Sequence, residues 1–137
     1  MAEAGPVAWP ISVEMRVPWR DIDVAGHVNN AVYFSYMETA RVEAYLAMLG
    51  KDDPEDLDLI VARAACDYHS PAYMGETLVV KVWPTRVGNT SFTFKYELKD
   101  KASGRLVAQG ETVQVMYDYV KRSKKPIPPE LRKLLGG

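Results

Sequence analysis

Two acids, a histidine and two asparagines are concentrated around a single glycine near the start of the chain. Residues 21–30 read Asp-Ile-Asp-Val-Ala-Gly-His-Val-Asn-Asn and precede a long apolar segment. Asn29 or Asn30 can cap a helix that begins there, and the backbone N–H groups behind such a cap form a small positive pole. A carboxylate a few residues upstream could face that pole across a bound carbonyl group. We therefore interpret the stretch as a candidate hydrolytic site.

The composition indicates one globular domain that spans residues 1–137. Hydrophobic residues make up 47% and charged residues 26% of the chain, an ordinary mixture for a folded protein. Lys and Arg number 17 against 18 Asp and Glu, and the formal charge of -1 argues against a nucleic-acid partner. The single cysteine excludes an intramolecular disulfide and fits a cytoplasmic location. We find no signal-peptide pattern in residues 1–10 and no apolar run long enough to span a membrane.

One strand before the polar stretch and one long helix after it must position these residues. Residues 11–19 alternate apolar and polar side chains, which predicts a strand that Pro18 ends or holds at a sheet edge. The only long helical pattern follows, and Gly50 supplies its stop signal. Four further strands are predicted over residues 59–68, 77–87, 91–98 and 106–119.

The remaining segments connect or flank these elements. We predict a loose arm over residues 1–10, an acidic loop over residues 51–58, and a basic tail over residues 120–137. The tail contains a short helical pattern over residues 129–135.

The long helix, predicted over residues 31–49, is apolar on most sides. Its apolar positions at helical spacing are Tyr33, Met37, Ala40, Ala44 and Met48. Such a helix must be covered by a sheet to be removed from water. Gly110, inside the last predicted strand, allows either a bend or a close approach of the helix.

This order of elements resembles the hotdog fold, an α+β fold in which a curved antiparallel β-sheet wraps around one long central α-helix. Residues 21–30, followed by Tyr33 and by Glu38 to Arg41, are similar to the motif of the 4-hydroxybenzoyl-CoA thioesterase-like family of acyl-CoA thioesterases. In that motif an acid, one residue and a second acid precede a Gly-bearing turn and the helix. The resemblance extends from Val13 to Tyr119.

The resemblance implies that Asp23, the second acid, is the catalytic carboxylate. It also implies that a backbone N–H near Asn30 polarises the thioester carbonyl as an oxyanion hole. Asp23 would attack the carbonyl carbon or activate a water molecule as general base. The residues alone leave a second interpretation open, in which Asp23 only orders the turn. Plant acyl-ACP thioesterases are also similar around His27, but Ala25 stands where they carry a catalytic Asn, which favours the assignment to Asp23.

The neighbouring polar residues have simpler interpretations beside catalytic ones. Asp21 lies next to Arg20, so we expect a salt bridge between them. Histidine can transfer protons near neutral pH, and His27 is therefore a candidate catalytic residue, although a lone histidine in a polar turn is more often a structural hydrogen bonder. Glu38 is expected to pair with Arg41.

The resemblance also implies contacts with coenzyme A, whose phosphates need cations or backbone donors. The segment around Gly88 matches the region that contacts the nucleotide in relatives, although Arg86 is its only basic residue. Arg63, Arg105 or the basic tail are the alternative sources of cations, and a solvated basic end is the simpler interpretation of the tail. The candidate substrate-binding residues are Gly26, Asn29, Tyr33, Ser70, Arg86, Asn89, Thr90 and Ser91.

The function expected from this family is hydrolysis of an acyl-CoA thioester to a carboxylic acid and free CoA, without a metal or redox cofactor. The subunits of such proteins commonly pair, so we expect a homodimer or a homotetramer. An acyl-ACP thioesterase, a hotdog dehydratase and a non-catalytic acyl-CoA-binding module are the alternatives. A dehydratase needs a histidine base, and neither His27 nor His69 stands in the dehydratase pattern.

Overall fold

A computed structural model describes residues 7–50 and 58–137 of the chain. The elements are β1 (Ile11–Arg16), a 3-10 turn (Trp19–Asp21), α1 (Val32–Leu49), β2 (Leu59–Tyr68), β3 (Thr77–Val87), β4 (Ser91–Asp100), β5 (Leu106–Asp118), β6 (Ser123–Lys124) and α2 (Pro129–Leu134). The predicted loop over residues 51–58 lies outside the described residues except for Asp58, and so do residues 1–6 of the predicted arm.

The strands form one antiparallel sheet in the order β1-β3-β4-β5-β2, and β6 pairs with the end of β5. Tight turns join β3 to β4 and β4 to β5, whereas α1 lies between β1 and β2 in the chain and packs across the sheet. The expected hotdog arrangement of a curved antiparallel sheet and one long helix is confirmed. Strands β1 and β2 are the two edges of the sheet.

The predicted first strand is too long at its end. β1 stops at Arg16, and Trp19–Asp21 form a 3-10 turn. Pro18 has no backbone N–H to donate to a neighbouring strand, which explains why the strand ends before it. The chain therefore turns directly into residues 21–30, and Trp19 is left 77% exposed.

The predicted apolar face of α1 is confirmed. Its five members are no more than 3% exposed: Tyr33, Met37, Ala40, Ala44 and Met48. Full burial of one large apolar side chain stabilises a fold by about 1.5–3 kcal/mol, so this face fixes the helix on the sheet. The helix ends at Gly50, which adopts the left-handed conformation with φ 62° and donates its N–H to the Leu46 carbonyl.

Of the two alternatives predicted for Gly110, a bend or a close approach of the helix, the close approach is present on β5. A Cβ atom placed on Gly110 would lie 2.1 Å from the Sδ atom of Met37, on the buried face of α1. A side chain at position 110 would therefore require Met37 to change rotamer or α1 to move away from the sheet.

A buried polar chain lies between α1 and the sheet. Arg41 donates to the Tyr96 hydroxyl, which is bonded to Thr112, and the Thr112 hydroxyl donates to Gln114. The Gln114 side-chain amide then donates to the Phe92 carbonyl at 3.2 Å. Within the described residues every buried side-chain nitrogen and oxygen has a partner, so this polar chain does not leave a desolvated group unpaired.

The C-terminal segment, residues 120–137, folds back onto the domain instead of forming a solvated basic end throughout. Its basic residues Lys121, Arg122 and Lys124 are exposed, but Ile127 and Leu131 are buried. A solvated tail would not bury large apolar side chains. The segment therefore belongs to the fold, and the sequence pattern did not reveal its strand β6.

Part of the predicted loose arm is also anchored. The Trp9 ring lies 5.7 Å from the Phe94 ring, and the indole N–H donates to the Leu134 carbonyl at 2.9 Å. Val7 packs against the core as well. The prediction of a loose arm is therefore wrong for residues 7–10, because these side chains cover an end of the core together with the C-terminal segment.

Candidate active site

The polar stretch forms a short hairpin of its own, which we call the Asp23 turn (residues 21–30). Ile22 pairs with Val28 as an antiparallel bridge. The Asn29 N–H donates to the Asp21 carbonyl at 3.0 Å, and the Asp23 N–H donates to the His27 carbonyl at 3.1 Å. These three pairings close the turn around residues 24–26.

This register separates the polar and apolar side chains of the turn. Neighbouring residues of a paired strand point to opposite faces, and directly paired residues share one. Val28 is 1% exposed and Ile22 packs against the core. The other face therefore carries four half-buried polar side chains: Asp21, Asp23, His27 and Asn29.

Asp23 uses only part of its hydrogen-bonding capacity. One carboxylate oxygen, Oδ1, accepts the Ala25 N–H at 2.9 Å, and the backbone carbonyl accepts the Gly26 N–H at 3.0 Å. Gly26 adopts φ 84°, a conformation that glycine tolerates and that lets the chain reverse. The second oxygen, Oδ2, contacts no donor among residues 7–50 and 58–137. The carboxylate is thus oriented by the turn and keeps one oxygen open.

Asp21, in contrast, is already paired. Its Oδ2 atom accepts the Tyr36 hydroxyl at 2.6 Å, and its Oδ1 atom lies 4.0 Å from the Arg20 guanidinium. The expected Arg20 salt bridge is present but long, and the sequence did not reveal the shorter bond to Tyr36. Burial, followed by the hydrogen bond to Asp21, raises the pKa of the Tyr36 hydroxyl well above its ordinary value. Tyr36 therefore stays a proton donor to Asp21.

The start of α1 is organised by Asn29. Its Oδ1 atom accepts the Ala31 N–H at 2.9 Å, and its backbone carbonyl accepts the Val32 N–H at 3.0 Å. The N-cap residue of α1 is Ala31, without a side-chain capping bond, so the prediction that Asn29 or Asn30 caps the helix is wrong; Asn29 orders the turn just before it, and Asn30 is exposed. In the part of the chain that the structure describes, no acceptor bonds the Asn30 N–H.

The remaining predicted residues of the site have local partners. The His27 ring nitrogen Nδ1 lies 3.2 Å from the Val28 carbonyl and donates to it in the tautomer that carries a proton there. Tyr33 is buried, and its hydroxyl accepts the Ala72 N–H at 3.2 Å. The Ala72 carbonyl in turn accepts the Val28 N–H at 2.9 Å, so the segment around Ala72 supports the Asp23 turn.

Ser70 and Arg105 belong to this supporting segment. The Ser70 hydroxyl donates to the Leu106 carbonyl at 2.7 Å and accepts the Arg105 Nε–H at 3.1 Å. Arg105 also forms an ion pair with Glu76 at 2.9 Å. Arg63 is paired with Glu111 at 2.8 Å. Both arginines are therefore engaged by protein carboxylates.

The predicted nucleotide-contacting region is separate from the Asp23 turn. Its centre is the β3–β4 turn (residues 88–90), and no hydrogen bond in the described parts of the chain joins the two turns. The Arg132 guanidinium donates to the Gly88 carbonyl at 2.8 Å, and the Ile127 N–H donates to the Asn89 carbonyl at 2.9 Å. The Thr90 carbonyl accepts the Met116 N–H at 2.8 Å. Arg132 is a cation at this turn that the sequence reasoning missed.

The candidate substrate-binding residues of this region differ in exposure. Arg86 and Asn89 are exposed, whereas Thr90 and Ser91 are half-buried. The Ser91 carbonyl accepts the Gly88 N–H at 2.7 Å and closes the turn.

Two further properties bear on the class of site. Among residues 7–50 and 58–137 no group of three His, Cys, Asp or Glu side chains is arranged to hold a metal ion. Within the same residues no helix is long and apolar enough to cross a membrane.

One long helix packed across an antiparallel sheet, with the Asp23 turn leading into it, is the arrangement of hotdog thioesterases. The family model of the thioesterase-like superfamily matches residues 17–135, and the chain belongs to this superfamily. The expected family, the fold and the enzyme class, a thioester hydrolase, are confirmed.

The chain is also similar to individual proteins over most of its length. It is 28% identical over 123 residues to 1,4-dihydroxy-2-naphthoyl-CoA hydrolase from Synechocystis, covering 84% of this chain and 86% of the relative. It is 25% identical to the acyl-CoA thioester hydrolase YbgC from Escherichia coli, with 90% of each chain covered. A thioesterase from Thermus thermophilus, solved with coenzyme A and Zn, superposes with a TM-score of 0.84 at 30% identity, covering 95% of this chain and 100% of that one.

Proposed function

We propose that the protein hydrolyses an acyl-CoA thioester at the Asp23 turn. The observation that carries the proposal is that Asp23 Oδ2 and the Asn30 N–H, an acceptor and a donor flanking one short hairpin, have no protein partner within the described residues. The protein itself uses neither group, and they are the kinds of acceptor and donor that thioester hydrolysis requires. The similarity to proteins named as acyl-CoA hydrolases supports a CoA thioester as substrate.

In the proposed reaction the Asn30 N–H donates to the thioester carbonyl oxygen and stabilises the negative charge that develops there. As general base, Asp23 takes a proton from water while the hydroxide oxygen bonds to the carbonyl carbon. Collapse of the tetrahedral intermediate breaks the C–S bond, and the leaving thiolate takes the proton from Asp23. As nucleophile, Asp23 would instead attack the carbonyl carbon and expel the CoA thiolate as the C–S bond breaks, and water would hydrolyse the resulting mixed anhydride to the carboxylic acid and free Asp23.

The other residues of the Asp23 turn have supporting roles in this proposal. Asn29 fixes the start of α1, Gly26 permits the chain reversal, and His27 holds the loop through its contact with the Val28 carbonyl. Tyr33 is buried, so we assign it to support of the turn through Ala72.

The β3–β4 turn and its surroundings are proposed to contact the nucleotide part of coenzyme A. Arg86 and Asn89 are exposed there, with Thr90 and Ser91 half-buried beside them. Arg132 adds a second cation at this turn. Ser70 is proposed to shape the acyl channel from the segment that supports the Asp23 turn.

We further propose that two copies pair through the edge strand β2, in the cytoplasm. Its outer edge has no partner strand in the described parts of this chain, and Ile60 and Val61 on it are 38% and 43% exposed. An apolar, unpaired edge is a template for strand pairing. Sedimentation equilibrium separates the expected homodimer or homotetramer from a monomer.

The test is thiol release from a panel of aliphatic and aromatic acyl-CoA thioesters. Asp23→Asn removes the negative charge but keeps the shape of the side chain, and we expect turnover to fall about 1,000-fold or more. Glu43→Gln, the same change at an exposed position of α1, is the matched control and should leave turnover unchanged. Wild-type-like turnover of Asp23→Asn would overturn the assignment. Binding of acyl-CoA without thiol release by the wild-type protein would instead identify a binding module.

A further inference from the structure

We propose that Tyr68, at the end of the edge strand β2, positions the Asn30 N–H for its contact with the thioester carbonyl. The Tyr68 hydroxyl donates to the Asn30 carbonyl at 2.6 Å, across 38 residues of sequence. This inference rests on the proposed function, because it gives Tyr68 a role through the backbone donor assigned to Asn30.

The Asn30 carbonyl depends on Tyr68 because α1 does not use it. In a regular helix this carbonyl would accept the Phe34 N–H, four residues later. The Phe34 N–H instead points to the Ala31 carbonyl, at 3.4 Å. In the described parts of the chain the Tyr68 hydroxyl is therefore the only donor that holds the Asn30 carbonyl.

The two peptide groups that flank Asn30 are held by different partners. On the preceding side, the Asn29 carbonyl accepts the Val32 N–H at 3.0 Å. A peptide group is planar with its carbonyl and N–H pointing in opposite directions, so this bond turns the Asn30 N–H away from the helix. On the following side, two bonds hold the peptide group: Tyr68 donates to the Asn30 carbonyl, and the Ala31 N–H donates to the Asn29 side chain at 2.9 Å. Loss of the Tyr68 hydroxyl would leave this peptide group, which adjoins the Asn30 N–H, held by the Asn29 side chain alone.

Tyr68 itself is held in place by the segment that supports the Asp23 turn. Its ring lies 5.1 Å from the Tyr33 ring in an edge-on arrangement. The Tyr33 hydroxyl accepts the Ala72 N–H, and the Ala72 carbonyl accepts the Val28 N–H inside the turn. The ring of Tyr68 thus contacts Tyr33, which supports the Asp23 turn, while its hydroxyl bonds to Asn30 at the end of that turn. Burial also raises the pKa of the Tyr68 hydroxyl above its ordinary value.

Tyr119 is a matched control for Tyr68, because its hydroxyl bonds to the opposite end of β2. Tyr119 is 54% exposed and Tyr68 is 46% exposed. The Tyr119 hydroxyl donates to the Leu59 carbonyl at 2.9 Å, at the start of β2 and away from the Asp23 turn. Removing either hydroxyl deletes one bond from a half-exposed tyrosine to a backbone carbonyl. If the two hydroxyls contributed only to stability, Tyr68→Phe and Tyr119→Phe would change the unfolding temperature and the turnover to a similar extent.

The experiment compares Tyr68→Phe with Tyr119→Phe in steady-state thiol release from an acyl-CoA thioester that the wild-type protein hydrolyses. We expect kcat of Tyr68→Phe to fall about tenfold, the order that one hydrogen bond supplies, with KM and the unfolding temperature equal to those of Tyr119→Phe. A kcat equal to that of Tyr119→Phe would overturn the proposal. A lower kcat that comes with a raised KM or a lower unfolding temperature would also overturn it, since Tyr68 would then be structural.

Asp23→Asn, measured beside these variants, tests the proposed function of the Asp23 turn separately from the role of Tyr68. If Asp23→Asn is inactive and Tyr68→Phe behaves like the control, only the role of Tyr68 is wrong. If Asp23→Asn keeps wild-type turnover, the proposed function of the Asp23 turn fails independently of Tyr68.

Discussion

The Asp23 turn and the β3–β4 turn are both short, polar reversals, but they use their hydrogen-bonding groups differently. All three backbone carbonyls of the β3–β4 turn accept bonds, two of them from the C-terminal segment. The Asp23 turn leaves the Asp23 Oδ2 atom and the Asn30 N–H unbonded within the described residues. A saturated turn is a scaffold that can present side chains to a ligand. A turn with an open acceptor and an open donor can also stabilise a reaction.

After Asp23→Asn, the largest effect that distinguishes the two turns is expected from removing a backbone donor. Asn30→Pro deletes the N–H assigned to the oxyanion, and we expect kcat to fall about 100-fold or more, the magnitude seen when one such donor is lost. Proline is tolerated near the start of a helix, which limits the cost to the fold. Steady-state thiol release, with circular dichroism to verify the fold, is the measurement.

The same change in the other turn is the matched comparison. Asn89→Pro lies at a central position of the β3–β4 turn, where proline is compatible with common turn types. This variant should keep the wild-type kcat and raise only KM. A folded Asn30→Pro protein with wild-type kcat, or an Asn89→Pro protein that loses kcat, would contradict the division between the turns.

A substitution in the sheet should also affect the Asp23 turn, because α1 connects the two. Gly110→Ala places a methyl group against Met37, so α1 must move or Met37 must change rotamer, and we expect the free energy of unfolding to fall by about 1–3 kcal/mol. Because Asn30 lies at the start of α1, kcat should fall as well. Urea unfolding measures the first quantity and thiol release the second.

Met37→Ala supplies the control for this prediction. It removes the atom that the new methyl group meets, so the cost of Gly110→Ala should be smaller in the Met37→Ala background than in the wild type. Equal costs in both backgrounds would show that the contact with Met37 is not the cause.

A smaller effect is expected in the pH dependence of stability. The pKa of Tyr36 is raised above 10.0 by burial and by its bond to Asp21, so the folded protein keeps a proton that the unfolded chain loses above that pH. The stabilisation is complete below pH 10 and decreases as the pH rises further. Tyr36→Phe should therefore show a shallower loss of unfolding free energy in urea titrations between about pH 10 and 12. An identical slope in both proteins would contradict the assignment.

Much of the fold could be predicted from local patterns. The apolar positions of α1 and the bounds of β2 and β3 follow from spacing and residue type, and the close approach at Gly110 was one of two alternatives that the sequence left open. The sequence motif also identified Asp23 and Asn30 as candidates. The end of β1 was predicted incorrectly because the alternation continues past Pro18, where the backbone can no longer pair.

The contacts that the sequence did not reveal join residues far apart in the chain. Tyr68 reaches Asn30, Arg132 reaches Gly88, and Trp9 reaches Leu134. None of these pairs has a local pattern, because each depends on strand register and on how the ends of the chain pack. Such long-range hydrogen bonds determine which donors and acceptors of a sequence motif are bonded to the protein and which remain available to a ligand.

An NMR titration tests the role of the Asn30 N–H directly: the ¹⁵N-labelled protein is titrated with an acyl-CoA analogue in which a methylene group replaces the thioester sulfur. The analogue keeps the carbonyl but cannot be hydrolysed. We predict that the Asn30 amide proton moves downfield on binding, because its N–H gains the ketone oxygen as acceptor, and that the same shift is reduced in Tyr68→Phe. Saturable binding with an unmoved Asn30 amide would contradict the account.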